Sequence, residues 1–247
     1  LLKRQPEVAG DAVGQIIEDA AADEWSFSGL VVTSFSAFDD APLRSSPEDP
    51  IRCAQVGLLQ WQEDNGTESV SRKTPEDLAN DFAESFSLCR QGLRSERWLS
   101  AVETLEADDL FAEANASALL QMDDRSWREA AFGLYRRLSS GHAIVLLTIT
   151  KLVELVDERT LVLLDEPEGH LHPPLLSAFI RALSDLLVKR NGVAIVATHS
   201  PVVLQEVPQS CAWKLRRSGV VSVAERPVIE TFGENVGVLT REVFGFE

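Results

Sequence analysis

Asp165 and Glu166 stand side by side at the end of the aliphatic run Leu161-Val162-Leu163-Leu164, and His170, His172, Pro173 and Pro174 follow within eight residues. Two adjacent carboxylates at the end of a buried strand can divide a task. One holds a hard cation through oxygen, and the other polarises a water as general base. A second apolar run, Val193 to Ala197, leads into Thr198-His199-Ser200. A histidine placed there can hydrogen-bond a phosphate and sense its loss. Upstream, Leu138-Ser139-Ser140-Gly141 opens an apolar helical stretch. A helix start offers an anion free backbone N–H groups and the positive end of its dipole. Phosphoryl transfer asks mostly for positioning and charge stabilisation, and these groups offer both. Taken singly, each has an ordinary alternative: a solvated strand end, a structural histidine, a plain N-cap. Their order along the chain, each at the expected end of its element, favours the chemical reading.

The elements that must position these residues are readable from pattern. Thr160 to Leu164 is a continuous β-branched and aliphatic run, the mark of a strand covered on both faces, and Val193 to Ala197 reads the same way. Between them Pro173 opens a helix whose Leu175, Leu176, Phe179, Ile180, Leu183, Leu186 and Leu187 share one face. Asn191-Gly192 ends that helix. Strand, helix and strand form a βαβ unit in a parallel sheet, whose ligands sit beyond the carboxyl ends of the strands. Residues 29–35 and 51–59 are two further expected strands, joined by a loop holding Pro42, Pro47 and Pro50. Thr74-Pro75-Glu76-Asp77 starts a helix. From there to Arg137 the pattern is helical almost throughout, with Trp98, Phe111 and Trp127 as anchors. The division expected is therefore a first part of the core over 1–74, an all-helical inserted lobe over 75–137, and the rest of the core over 138–247. In that last part Thr231-x-x-Glu234 reads as a capping box before a helix through Val243.

Composition bounds what such a site could serve. The chain has 247 residues, 45% of them hydrophobic, and a net charge of −16. That charge disfavours a protein that grips nucleic acid alone, and its short basic clusters (Arg90 to Arg97, Arg136-Arg137, Lys214 to Arg217) read as solvated faces. Any nucleic-acid contact is thus expected to be indirect. No apolar run approaches the ~20 residues that span a bilayer. Cys53, Cys89 and Cys211 form no CxxC pair, which fits a reducing cytoplasm and offers no zinc site.

"LSSGH" (138–142), "LVLLDEPEGHLHPP" (161–174) and "VAIVATHSP" (193–201) resemble the signature motif, the Walker B and D-loop, and the switch histidine of ABC-type ATPases. The likeness is to the soluble branch with SMC-like and OLD-like heads, where Glu-Pro-Glu-x-x-Leu-His-Pro follows the Walker B Asp. The resemblance implies an α/β fold of the P-loop NTPase kind, with ATP and Mg2+ as cofactors. By it, Asp165 is the magnesium-side carboxylate, Glu166 the catalytic base and His199 the switch histidine. Ser139, Ser140 and Gly141 contact the γ-phosphate of an ATP held mainly by a second protomer, and His170 lies in the D-loop crossing the same interface. Activity then requires a head-to-head homodimer, or a higher homo-oligomer built on one. The tail "IETFGENVGVLTREVFGFE" (229–247) is similar to the ATPases of bacterial two-component anti-phage modules of the Septu type. That likeness implies an effector partner, an HNH-type nuclease among the candidates.

The sequence also departs from that pattern. No G-x-x-x-x-G-K-[ST] loop occurs; Gly10 to Ile16 has glycines four apart but no Lys. With an opening Leu-Leu-Lys-Arg and Met122 as the only Met, the phosphate loop is expected upstream of these residues. His142 occupies a position where many relatives carry Gln. The Gln expected near the end of the early strand is replaced by Ser34-Phe35-Ser36. Two other classes compete. One is a metal-dependent hydrolase built on Asp165, Glu166, His170 and His172. The other is a non-hydrolysing, nucleotide-gated scaffold with an ATPase fold.

Overall fold

The computed structural model describes residues 27–35, 41–43, 51–64, 67–219 and 221–245. Gly10 to Ile16, Ser36, Pro47 and Pro50, singled out above, lie outside the described residues.

Four parallel strands make the central sheet in the order β2-β1-β5-β6. They are β1 (Gly29–Ser34), β2 (Arg52–Gly57), β5 (Thr160–Asp165) and β6 (Val193–Ala197). Register sets Ser34 opposite both Gly57 and Asp165, and Asp165 opposite Ala197. The carboxyl ends of all four strands therefore fall in one row. The chain is α/β with a parallel sheet, as expected. Between β1 and the first helix the chain also forms an antiparallel hairpin, β3 (Leu59–Asp64) and β4 (Thr67–Arg72). This hairpin is absent from the sequence-based reading, although Asn65-Gly66 is a strong two-residue turn signal.

The helical stretch is four α-helices, α1 (Pro75–Cys89), α2 (Leu93–Leu105), the short α3 (Asp109–Ala112) and α4 (Trp127–Arg137), with a 3-10 helix at Ala116–Gln121 before the last. Thr74 caps α1 in a reciprocal capping box with Asp77. The long apolar helix α5 (Ser140–Leu155) follows, then α6 (Pro173–Val188) between β5 and β6. Every one of the seven apolar residues assigned to the inner face of α6 is buried. One apolar cluster joins Phe82, Phe86 and Trp98 of the first helices to α5, α6 and the strand residues Val31, Val56, Val162 and Leu164. Trp98 satisfies its indole N–H on Thr150 Oγ1 at 2.9 Å, as a buried tryptophan must.

Two expectations are corrected. β6 is not covered on both faces: Ile195 is 60% exposed and Val193 40%. An apolar run reports what a strand could bury, and only packing decides which face is covered. In the tail, Thr231 spends its hydroxyl on the Val207 carbonyl rather than on a helix. Asn235 caps the last helix instead, accepting from the Gly237 N–H. That helix is α8 (Val236–Leu239), preceded in the chain by α7 (Pro201–Gln205) and the exposed hairpin β7 (Lys214–Ser218) and β8 (Val221–Glu225).

Candidate active site

The row of strand ends carries the carboxylates. Asp165 closes β5 and is exposed. Glu166 leaves the strand with a φ of 43°, a left-handed conformation that a non-glycine residue adopts at a cost of about 1–3 kcal/mol. The strain is held by the Glu166 N–H donating to the Ala197 carbonyl at 2.9 Å and by the Glu166 carbonyl accepting from the Gly169 N–H at 3.1 Å. This turn aims the Glu166 side chain over the end of β6, where its Oε1 lies 3.4 Å from His199 Nε2. Both side chains are open to solvent, His199 83% and Glu166 61% exposed.

Glu168 completes this group, although no role was assigned to it from sequence. Its Oε1 accepts from Thr198 Oγ1 at 2.8 Å and from the His199 N–H at 2.7 Å. It thereby ties the loop after β5 to the residue that carries the histidine. Its other oxygen, Oε2, is buried with no hydrogen-bond partner among the described residues. The signal was available in the second Glu of Glu166-Pro167-Glu168, since a carboxylate one turn beyond a strand end is well placed to accept free N–H groups of the neighbouring loop.

A second group forms where α5 begins. Ser139 caps the helix, with Ser139 and Ser140 exposed and Gly141 buried. A Cβ on Gly141 would lie 2.5 Å from the His170 carbonyl oxygen, so only glycine lets the helix start rest on the 166–172 loop. The structure thus brings Gly141 and His170 into contact, and separately Glu166 and His199.

Beneath this start lies a cluster unseen in the sequence. Asp108, between α2 and α3, is 7% exposed and faces two imidazoles. Its Oδ1 is 3.3 Å from His142 Nε2, and its Oδ2 is 3.4 Å from His172 Nε2. Oδ1 also accepts from the Phe111 N–H at 2.9 Å. The donor atoms of Asp108, His142 and His172 lie within 4.8 Å of one another, close enough for a metal ion by distance. Hydrogen bonding speaks against that use. His172 Nδ1 accepts from the Leu175 N–H at 3.2 Å as the N-cap of α6, which leaves its proton on Nε2, facing Asp108. A histidine that ligates through Nε2 needs its proton on Nδ1. The metal-hydrolase grouping of His170 and His172 with Asp165 and Glu166 also loses His172, which is committed to Asp108 and to its helix.

A parallel α/β sheet with carboxylates and a histidine beyond its carboxyl edge is the architecture of the P-loop NTPase class. The family described as "AAA domain, putative AbiEii toxin, Type IV TA system" matches residues 19–205. The chain belongs to this AAA-type ATPase domain family. It is also similar to protein ea59 of Escherichia phage lambda, with 47% identity over 239 residues, covering 90% of this chain. The chain spans 45% of the length of that relative. Among the described residues no helix is long and apolar enough to cross a membrane.

Proposed function

We propose that this chain hydrolyses ATP with magnesium as part of a head-to-head dimer of the ABC type, in its soluble SMC-like and OLD-like branch. The change in dimer geometry would pass to an effector, a nuclease of a Septu-type anti-phage module being the partner that the tail suggests. The observation that carries this is the Glu166–His199 contact of 3.4 Å at the strand ends, beside Asp165 and braced by Glu168.

The residues present fit a magnesium nucleotide. Asp165 and Glu166 are exposed carboxylates at the mouth of a parallel sheet, and all-oxygen donors are what magnesium takes. Asp165 would hold the ion, and bound magnesium would neutralise charge developing on the transferred phosphoryl group. Glu166 accepts a proton from water, and the 3.4 Å contact lets His199 orient and stabilise its carboxylate. His199, fixed through its own backbone N–H by Glu168, keeps an exposed ring that can turn from Glu166 to a phosphate oxygen. Ser139, Ser140 and Gly141 would face the nucleotide of the second protomer, with His170 beside them.

The test is Glu166→Gln in the protein at its natural length. Turnover should fall by a factor of ~10² to 10⁴, the usual contribution of a general base. ATP binding should persist, and the closed dimer should accumulate on size-exclusion chromatography. Normal turnover in that variant removes Glu166 from its role. Binding without turnover in the unmodified protein points instead to a nucleotide-gated scaffold.

A further inference from the structure

We propose that Asp108 and His142 are positioning residues that set the direction of the Ser139 hydroxyl, and that the proton count of His142 switches it. The inference rests on the ATPase reading for the ligand, but the hydrogen bonds that carry it are in the chain itself. Ser139 Oγ is 2.5 Å from His142 Nδ1, and His142 Nε2 is 3.3 Å from Asp108 Oδ1. A carboxylate can only accept, so His142 Nε2 carries a proton. In the neutral ring Nδ1 is then a lone pair, and it must accept the Ser139 O–H.

Ser139 Oγ meanwhile accepts from the His142 backbone N–H at 3.4 Å. In this state the exposed serine turns no hydroxyl proton outward, and a phosphate oxygen meets lone pairs. One more proton, taken from solvent, reverses the polarity. Nδ1–H then donates to Ser139 Oγ, and the Ser139 O–H is released to donate to a phosphate oxygen. No bond between heavy atoms changes.

Among the described residues the titratable groups in contact with His142 are Asp108, from the turn between α2 and α3, and His172, at the start of α6 with its ring centroid 5.5 Å away. Phe111 stacks on the ring and is neutral. Asp108 supports an added charge on either histidine, but the two rings are not equivalent. A second proton on His172 would set an N–H against the Leu175 N–H and cost α6 its cap. On His142 it only reverses a hydrogen bond that serine can make in either sense. His142 is therefore the seat of the proton. Because His172 shares the carboxylate, the start of α6 and the start of α5 are held by one buried residue of the helical lobe.

Engagement of phosphate by Ser139 is thus linked to proton uptake, and linkage gives the sign. Phosphate favours protonated His142, so nucleotide-driven dimerisation takes up at most one proton per site and strengthens as pH falls, by at most about tenfold per pH unit and per site. His142→Gln carries an amide N–H at every pH and should dimerise with a flat profile.

The experiment uses the natural-length protein, ATP as the probe and imidazole 15N spectra, in which the four histidines of these 247 residues are assigned by single variants. Without nucleotide at pH 8, His142 should be the Nε2–H tautomer. In ATP-bound Glu166→Gln it should carry both protons. Asp108→Asn should leave it singly protonated there and weaken dimerisation at least tenfold, with ATP affinity of one subunit within twofold. Dimerisation of His142→Gln that still falls with rising pH, or a resting Nδ1–H tautomer, overturns the relay. Should ATP bring no dimer at all, the ATPase reading fails. The resting tautomer, and its shift in Asp108→Ala or Asp108→Asn, then decides the relay independently.

Discussion

Glu166 shows how much a single backbone angle can matter. Its backbone takes a left-handed φ at the end of β5, and its carboxylate meets His199 beyond the end of the neighbouring strand. Glu168 holds the other side of that contact through two hydrogen bonds to the loop after β6. Hydrogen bonds to a charged group are worth ~1.5–3 kcal/mol each, so losing both is felt locally. Glu168→Ala should reduce turnover about tenfold, with a smaller change in ATP affinity, because His199 loses its support while Asp165 does not; steady-state kinetics read the split. A second test at this scale concerns the thiols. Burial, with Glu154 adding to it, pushes Cys89 up to about 12 from an ordinary 9.0, whereas Cys211 is exposed. Iodoacetamide at pH 8.5 should modify Cys211 in the native protein and Cys89 only on unfolding, as peptide mass mapping would show. Since the folded value is the higher, the contribution of Cys89 to stability is complete below pH 9 and is lost as pH rises from 9 toward 12.

At the scale of elements, helix starts carry the site. Ser139 caps α5 and His172 caps α6, and both caps are wired to Asp108 through His142 and His172. Behind α5 lies α1, whose Phe86 ring meets Trp98 at a tilt, 4.6 Å between centroids, and Trp127 edge-on at 5.8 Å, while α2 packs on α6. Phe86 is fully buried. Phe86→Ala should therefore cost about 3–5 kcal/mol, measurable by urea unfolding, with loss of transfer energy and a cavity adding together. If α1 instead packed loosely, the loss would fall below about 1 kcal/mol. β6 is the weakly covered element, with Ile195 outward and its partner face packed on the core.

At the scale of the whole molecule, the start of α5 is the part that faces outward for use by another copy. Ser139 and Ser140 are exposed, and the nucleotide they would meet belongs to a second copy under the proposal. Ser140→Arg should block closure of the dimer far more than it weakens ATP binding by one subunit. Analytical ultracentrifugation with ATP, beside nucleotide affinity at low protein concentration, separates the two. Equal loss of both would place the site within a single protomer. A net charge of −16 also opposes association of two copies. Added salt, by screening that repulsion, should favour closure.

The sequence alone determined the parallel sheet, the inner face of α6, the caps of α1 and α5, and the alignment of Asp165, Glu166 and His199 at strand ends. Those features are local: hydrophobic period, turn chemistry and capping act over a few residues, so they are written in short windows. It did not reveal Asp108, because the contacts of Asp108 with His142 and His172 cross 34 and 64 positions of chain. Nor did it show that Glu168 grips the loop of His199, or that one face of β6 stays open. Burial and long-range hydrogen bonds belong to the packed whole, and only the tertiary structure decides which polar groups meet when the helices close on the sheet.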